Sequence, residues 1–142
     1  MRVEPVAMDR SASGQVFGRI WLSIGGVAFP DGEWSDSVVV VLTWWLEAIE
    51  ATVADPLAPQ RLQFMDGPFY AILSAEAQGA LGVQGYRRSR GGDVAVTERA
   101  KTSGGELRDD IRRAAVAILR ECEARGWSSA DTQQLAQRVG TS

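Results

Sequence analysis

"SVVVVLTWWLEAIEATVA", residues 37–54, decides the fold. Its four consecutive valines favour a strand, because β-branched side chains suit a pleated surface. The apolar run is nevertheless longer than the roughly 3–10 residues of an ordinary strand. Val38, Val41, Leu42, Trp45, Ile49 and Val53 recur at helical spacing, and Asp55-Pro56 supplies a stop. The spacing predicts a helix over 37–54, with Asp36 placed to cap it. The polar stripe of this helix is narrow, essentially Thr43, Glu47 and Glu50, because Trp44 adds apolar area beside Val40 and Ala48. A helix apolar over most of its circumference must be covered on more than one side. A sheet on one side and a second helix on the other would do this; a partner protein or a dimer mate is the alternative.

Upstream, "QVFGRIWLSI" (15–24) alternates as a strand does, with Val16, Ile20, Leu22 and Ile24 on one face. Gly25-Gly26 marks a turn into a short partner strand, "VAFP". Downstream, "RLQFM" and "FYAILSAE" flank the turn "DGP", and "ALGVQGYRRS" and "DVAVTERA" flank "RGG". Ser103 and Glu106 have capping-box spacing before a helix to about Arg125, with Leu107, Ile111, Ala115, Ile118 and Cys122 on one face. Asp109 and Arg113 form a candidate i,i+4 pair on its outer side. Gly126 ends that helix, Trp127 is placed to fold back onto it, and "SSAD" (128–131) opens a short last helix. The expected order is β-β-α-β-β-β-β-α-α, a largely antiparallel sheet with helices packed on it: α+β class. Residues 1–14 read as a flexible N-terminal tail and 15–142 as a single domain, since 142 residues suit one core better than two.

Composition excludes more than it suggests. The chain has no histidine and one cysteine, Cys122. Histidine-dependent triads, histidine-ligated metals, an internal disulfide and a cysteine-held zinc are therefore all excluded. No metal or cofactor is expected. No apolar run reaches the ~20 residues needed to cross a bilayer, and "MRVEPVAMDRSASG" lacks a signal-peptide core. A cytoplasmic protein is the expectation.

Net charge is -3, unevenly spread. No basic residue lies between Arg19 and Arg61, an interval holding Asp31, Glu33, Asp36, Glu47, Glu50 and Asp55. These are either ordinary solvated positions or an acidic surface that draws a basic partner. Trp34, in a loop among acids, is a candidate hot spot, with Trp44 on the following helix; packing into the core is the other reading of both. In "RLQFMDGPFY" (61–70), turn chemistry alone accounts for Asp66, Gly67 and Pro68. A functional Asp66 would pair with a carboxylate of the 31–36 loop, with Tyr70 or an oxygen-bound cation nearby. "GYRRSRGG" offers Tyr86, Arg87, Arg88 and Arg90 as a nucleic-acid contact, a small footprint on a chain of negative net charge. No phosphate-binding glycine motif is present.

"FPDGEWSDSVVVVLTWWLEAI" (29–49) and "FMDGPFY" (64–70) resemble stretches of small actinobacterial proteins similar to the immunity proteins of polymorphic and contact-dependent toxin systems. The likeness spans roughly residues 15–75. It implies a non-enzymatic inhibitor that binds and occludes a cognate toxin in the cytoplasm, with no catalytic residue to carry over. Asp31, Glu33 and Asp36 would then mimic substrate phosphates and steer association, with Trp34 as the desolvated anchor. Two other classes stay open. One is a small enzyme or ligand-binding protein using Asp66 and Tyr70 with a carboxylate of the 31–36 loop. The other is a homodimeric scaffold built on the apolar 37–54 helix.

Overall fold

The protein, described here by a computed structural model over residues 1–141, is built on two antiparallel sheets and three helices. The elements are β1 (Arg2–Arg10), β2 (Val16–Ile24), β3 (Val27–Phe29), β4 (Ser35–Asp36), α1 (Val38–Ala54), β5 (Gln60–Gln63) and β6 (Phe69–Ala75). A 3-10 turn at Ala77–Gly79 leads to β7 (Ala80–Arg87), β8 (Val94–Ala95), β9 (Ala100–Ser103), α2 (Gly104–Ala124) and α3 (Ala130–Thr141). The class is α+β, as the patterning predicts.

The first sheet is organised by β2, which pairs with β1, β3 and β4. The second is organised by β7, which pairs with β6, β8 and β9, while β5 pairs with β6. Helix α1 lies against β2 and β5 and is also packed by α2 and α3. Trp45, Leu42, Val38 and Val41 are wholly buried, the double coverage that so apolar a helix demands. The Trp45 indole donates to the Gln63 carbonyl at 2.8 Å, so even the polar atom of this side chain is satisfied inside the core. Arg138 of α3 reaches both Glu47 and Glu50, closing the narrow polar stripe of α1.

Edge-to-face aromatic contacts join the two sheets. Phe29 of β3 meets Phe64 and Phe69 at 5.9 and 5.8 Å between ring centres, and Phe64 meets Trp45 at 5.3 Å. The Phe29 ring lies directly over Gly85 of β7: a Cβ there would stand 2.6 Å from Phe29 Cε1. That approach requires glycine.

The ends of α2 follow their sequence signals. The Ser103 hydroxyl accepts the Glu106 N–H at 3.3 Å. At the other end Gly126 has φ +69, its N–H donates to the Glu123 carbonyl, and Trp127 N–H donates to Cys122 at 2.8 Å. These two bonds make a Schellman cap. Trp127 packs on the core beneath it, and Cys122 is buried on the inner face of α2.

Several local expectations are corrected. Residues 1–14 include strand β1, whose Met8 side chain is buried and whose Met8 carbonyl accepts from Arg125 Nη1 at 2.7 Å. The pairing register of β1 shifts between Glu4 and Asp9, which breaks the alternation that would have revealed a strand. Of the stretch 93–100 only Val94–Ala95 and the last residue, Ala100, pair as strand, the latter opening β9. Between them the Thr97 hydroxyl accepts the Gly85 N–H at 2.9 Å while the Val96 N–H donates to the Gly85 carbonyl, so a side chain takes one half of the ladder. Arg113 pairs with Asp110 rather than Asp109. The cap before α3 is a reciprocal Ser129–Thr132 pair, one residue later than the expected spacing.

Gly85→Ala is expected to lower stability by about 1–3 kcal/mol through overpacking against Phe29, seen as a lower urea midpoint at unchanged slope.

Candidate functional site

The 31–36 loop and the 64–68 turn are held together by one carboxylate. Asp36 ends β4 with no exposed surface. Its Oδ2 accepts the Trp34 Nε1–H at 3.0 Å and its Oδ1 accepts the Ser37 N–H at 2.7 Å. The Asp66 backbone N–H is shared between both oxygens at 3.2 Å each. Three donors from two separate loops thus converge on one buried group. The Trp34 ring completes the junction, edge-to-face with Phe69 at 5.4 Å and Phe64 at 6.1 Å. Gly67, at φ +72, is needed twice over: a Cβ there would also stand 2.7 Å from Trp34 Cη2.

The expectations of Asp36 as a helix cap and as a partner-facing acid are corrected on two separate grounds: it lies one residue before the N-cap, and it is fully buried. Ser37 occupies the N-cap position without a side-chain cap bond, and its buried hydroxyl has no partner among the described residues. Burial pushes the Asp36 carboxyl above the ordinary aspartate range, an effect only partly offset by the bonds from Trp34, Ser37 and Asp66. Asp31, Glu33 and Asp66 by contrast have exposed side chains. The Asp31 carboxylate accepts the Glu33 N–H at 2.8 Å, an Asx turn that fixes the loop. Trp34 is half-buried, and Trp44 keeps 36 % of its surface exposed on α1. Asp66 therefore meets the upstream loop through its backbone N–H.

Tyr70 lies on the other face of the second sheet. The alternation along β6 sends Phe69, Ala71 and Leu73 to the core and Tyr70 outward, yet Tyr70 is only 2 % exposed. Tyr86 stacks on it at 5.6 Å and 10°. The Arg61 and Arg88 guanidiniums lie 4.4 and 4.9 Å from its ring centre, and its hydroxyl donates to the Asp93 carboxylate. That bond raises the phenol pKa, with burial and the Asp93 charge adding to it and the two arginines opposing it. Arg88 also donates to Gln63 Oε1. Arg61 and Gln63 of this group escaped sequence reasoning. Their alternation with Leu62 and Phe64 along β5 was the signal that places them on the outer face.

Asp66 and Tyr70, paired in the ligand-binding alternative, thus belong to different neighbourhoods. A cavity of about 380 Å³ does open elsewhere, between the C-terminal part of α1, the end of β6 and the first turn of α2. Ile49, Val53, Pro56, Ala75, Leu81 and Arg108 contribute to its lining; Asp66 and Tyr70 do not. Among the described residues no group of three or more acidic, cysteine or histidine side chains is placed to hold a metal ion. No helix among them is long and apolar enough to cross a membrane.

Replacing Asp36 by Ala strands three N–H donors and is expected to cost about 1–3 kcal/mol, measured by urea unfolding. The raised Asp36 pKa also sets a pH dependence. The folded chain binds the proton more readily than the unfolded one, so this group's contribution to stability is greatest below the ordinary aspartate range. That contribution falls as pH rises through the raised value and is level above it. Asp36→Asn is expected to remove this portion of the slope, seen by comparing urea midpoints of the two proteins across acidic pH.

Compared with known proteins, the chain matches no family model, no curated protein and no solved structure.

Proposed function

We propose that this chain is a non-enzymatic binding protein of the cytoplasm, acting as an immunity protein that occludes a basic toxin domain. The observation that carries the reading is the Asp36 junction. It fixes two loops as one surface, so that the exposed Asp31, Glu33 and Asp66 side chains are held by a common buried group. A preorganised surface loses little conformational entropy on docking, and its like charges speed encounter with a basic partner. The half-buried Trp34 and the exposed Met65 add apolar contact beside those acids, and Trp44 offers a second aromatic on the following helix. The likeness of residues 29–49 and 64–70 to immunity proteins gives the reading its specific form. Asp36 itself acts in this scheme from inside, by positioning the loops.

The test compares wild type with an Asp31→Arg, Glu33→Arg, Asp66→Arg variant as bait in the native host. Wild type is expected to capture a basic protein that arrests growth when expressed alone, and co-expression with wild type to restore growth. The variant should neither capture it nor rescue. Equal capture by the variant would overturn the surface, and a harmless captured protein would overturn the immunity role.

A further inference from the structure

The outer face of the second sheet carries a charge imbalance that the proposed docking surface does not use. At one end Arg99 and Lys101 both pair with Glu76, and the Arg99 guanidinium lies close over Gly82. Each cation there has a carboxylate in ion-pair contact, although the two share one acid. At the other end Arg61 and Arg88 converge on the ring of Tyr70, and among the described residues neither has a carboxylate within ion-pair distance. Asp93 is close, but its carboxylate is turned to the Tyr70 hydroxyl.

Bringing two guanidiniums onto one ring sets like charges against each other. The quadrupole of a phenol attracts each of them, but only weakly. The arginines are also positioned rather than loose: Arg88 is held by Gln63, and the ring on which both rest is itself buried and stacked on Tyr86. Guanidiniums without a carboxylate in ion-pair contact are the donors that planar and tetrahedral oxyanions require. Their ring distances bound the separation of the two guanidinium carbons at about 9 Å. Within that upper limit a diphosphate can accept N–H bonds of ~2.8 Å from both arginines.

We infer that Arg61 and Arg88, seated on Tyr70, form a binding site for a small phosphoryl ligand of the phosphomonoester or diphosphate class. A long polyanion is disfavoured by the chain's net charge of -3 and by Asp93 at the rim. The site is independent of the acidic docking surface, so each can fail without the other.

Isothermal titration of the full chain with inorganic pyrophosphate at low ionic strength tests it, with a single-stranded oligonucleotide as the competing probe. Saturable pyrophosphate binding is expected, weakened about tenfold or more in Arg61→Gln and in Arg88→Gln, and unchanged in Arg120→Gln on the outside of α2. Arg88→Lys keeps the charge but loses the planar fork, so it should bind less tightly than wild type. Arg61 is exposed, so Arg61→Gln decides the matter if the Arg88 variants fold poorly. Absence of saturable binding at millimolar pyrophosphate, or equal binding by wild type and Arg61→Gln, would overturn the site. Tighter binding of the oligonucleotide than of pyrophosphate would overturn its assignment to a small ligand.

Discussion

Helix α1 carries more apolar surface than any one layer can cover, and the rest of the molecule is arranged to meet that constraint. Strands of both sheets pack against it, and so do α2 and α3. Trp45 shows how complete the enclosure is: its ring is wholly buried, its indole N–H is satisfied by Gln63, and its edge meets Phe64. Burying a side chain of this kind contributes roughly 2–3 kcal/mol, against stability margins of only 5–15 kcal/mol. The one polar strip left on α1 is answered by Arg138 from α3. The two sheets also meet beside this helix, and Phe29 crosses between them only because β7 offers a glycine at 85.

The Asp36 junction is a second constraint, of the opposite chemical kind. A carboxylate without exposed surface is costly unless donors meet it, and here three do. Two of them belong to the loop and helix start that flank Asp36, and the third comes from a turn 30 residues later. Local and long-range order therefore share one acceptor. Either loop alone would leave the charge under-satisfied, so the pair is organised together or not at all.

The sequence was most legible where one rule acted alone. Helical spacing against strand length settled α1, and serine-glutamate spacing with a terminal glycine set both ends of α2. Asp66 was read as a turn residue, and the turn is where it sits. Reading failed where side chains took over the work of backbone pairing. Thr97 ends the ladder after two residues of β8, and the register shift in β1 hid a strand behind a pattern that resembles a tail. The acidic residues of the 31–36 loop show the limit most clearly. Linear charge counts Asp31, Glu33 and Asp36 alike, while burial separates the last from the other two. The Tyr70 cluster draws on β5, β6, β7 and the loop after β7, so no contiguous motif could announce it.

Cys122 is the chain's one thiol; it lies on the inner face of α2 under the Schellman cap, and burial raises its pKa. It borders a cleft between α2 and α3, so a disulfide reagent reaches it when those two helices part or the whole chain opens. The native protein thus contains its own chemical clock. The rate of thiol modification reports the opening of the layer that completes the enclosure of α1, with no probe added. It also leaves the surface free of background reactivity, so a single cysteine placed on either exposed face would carry a label to that face alone.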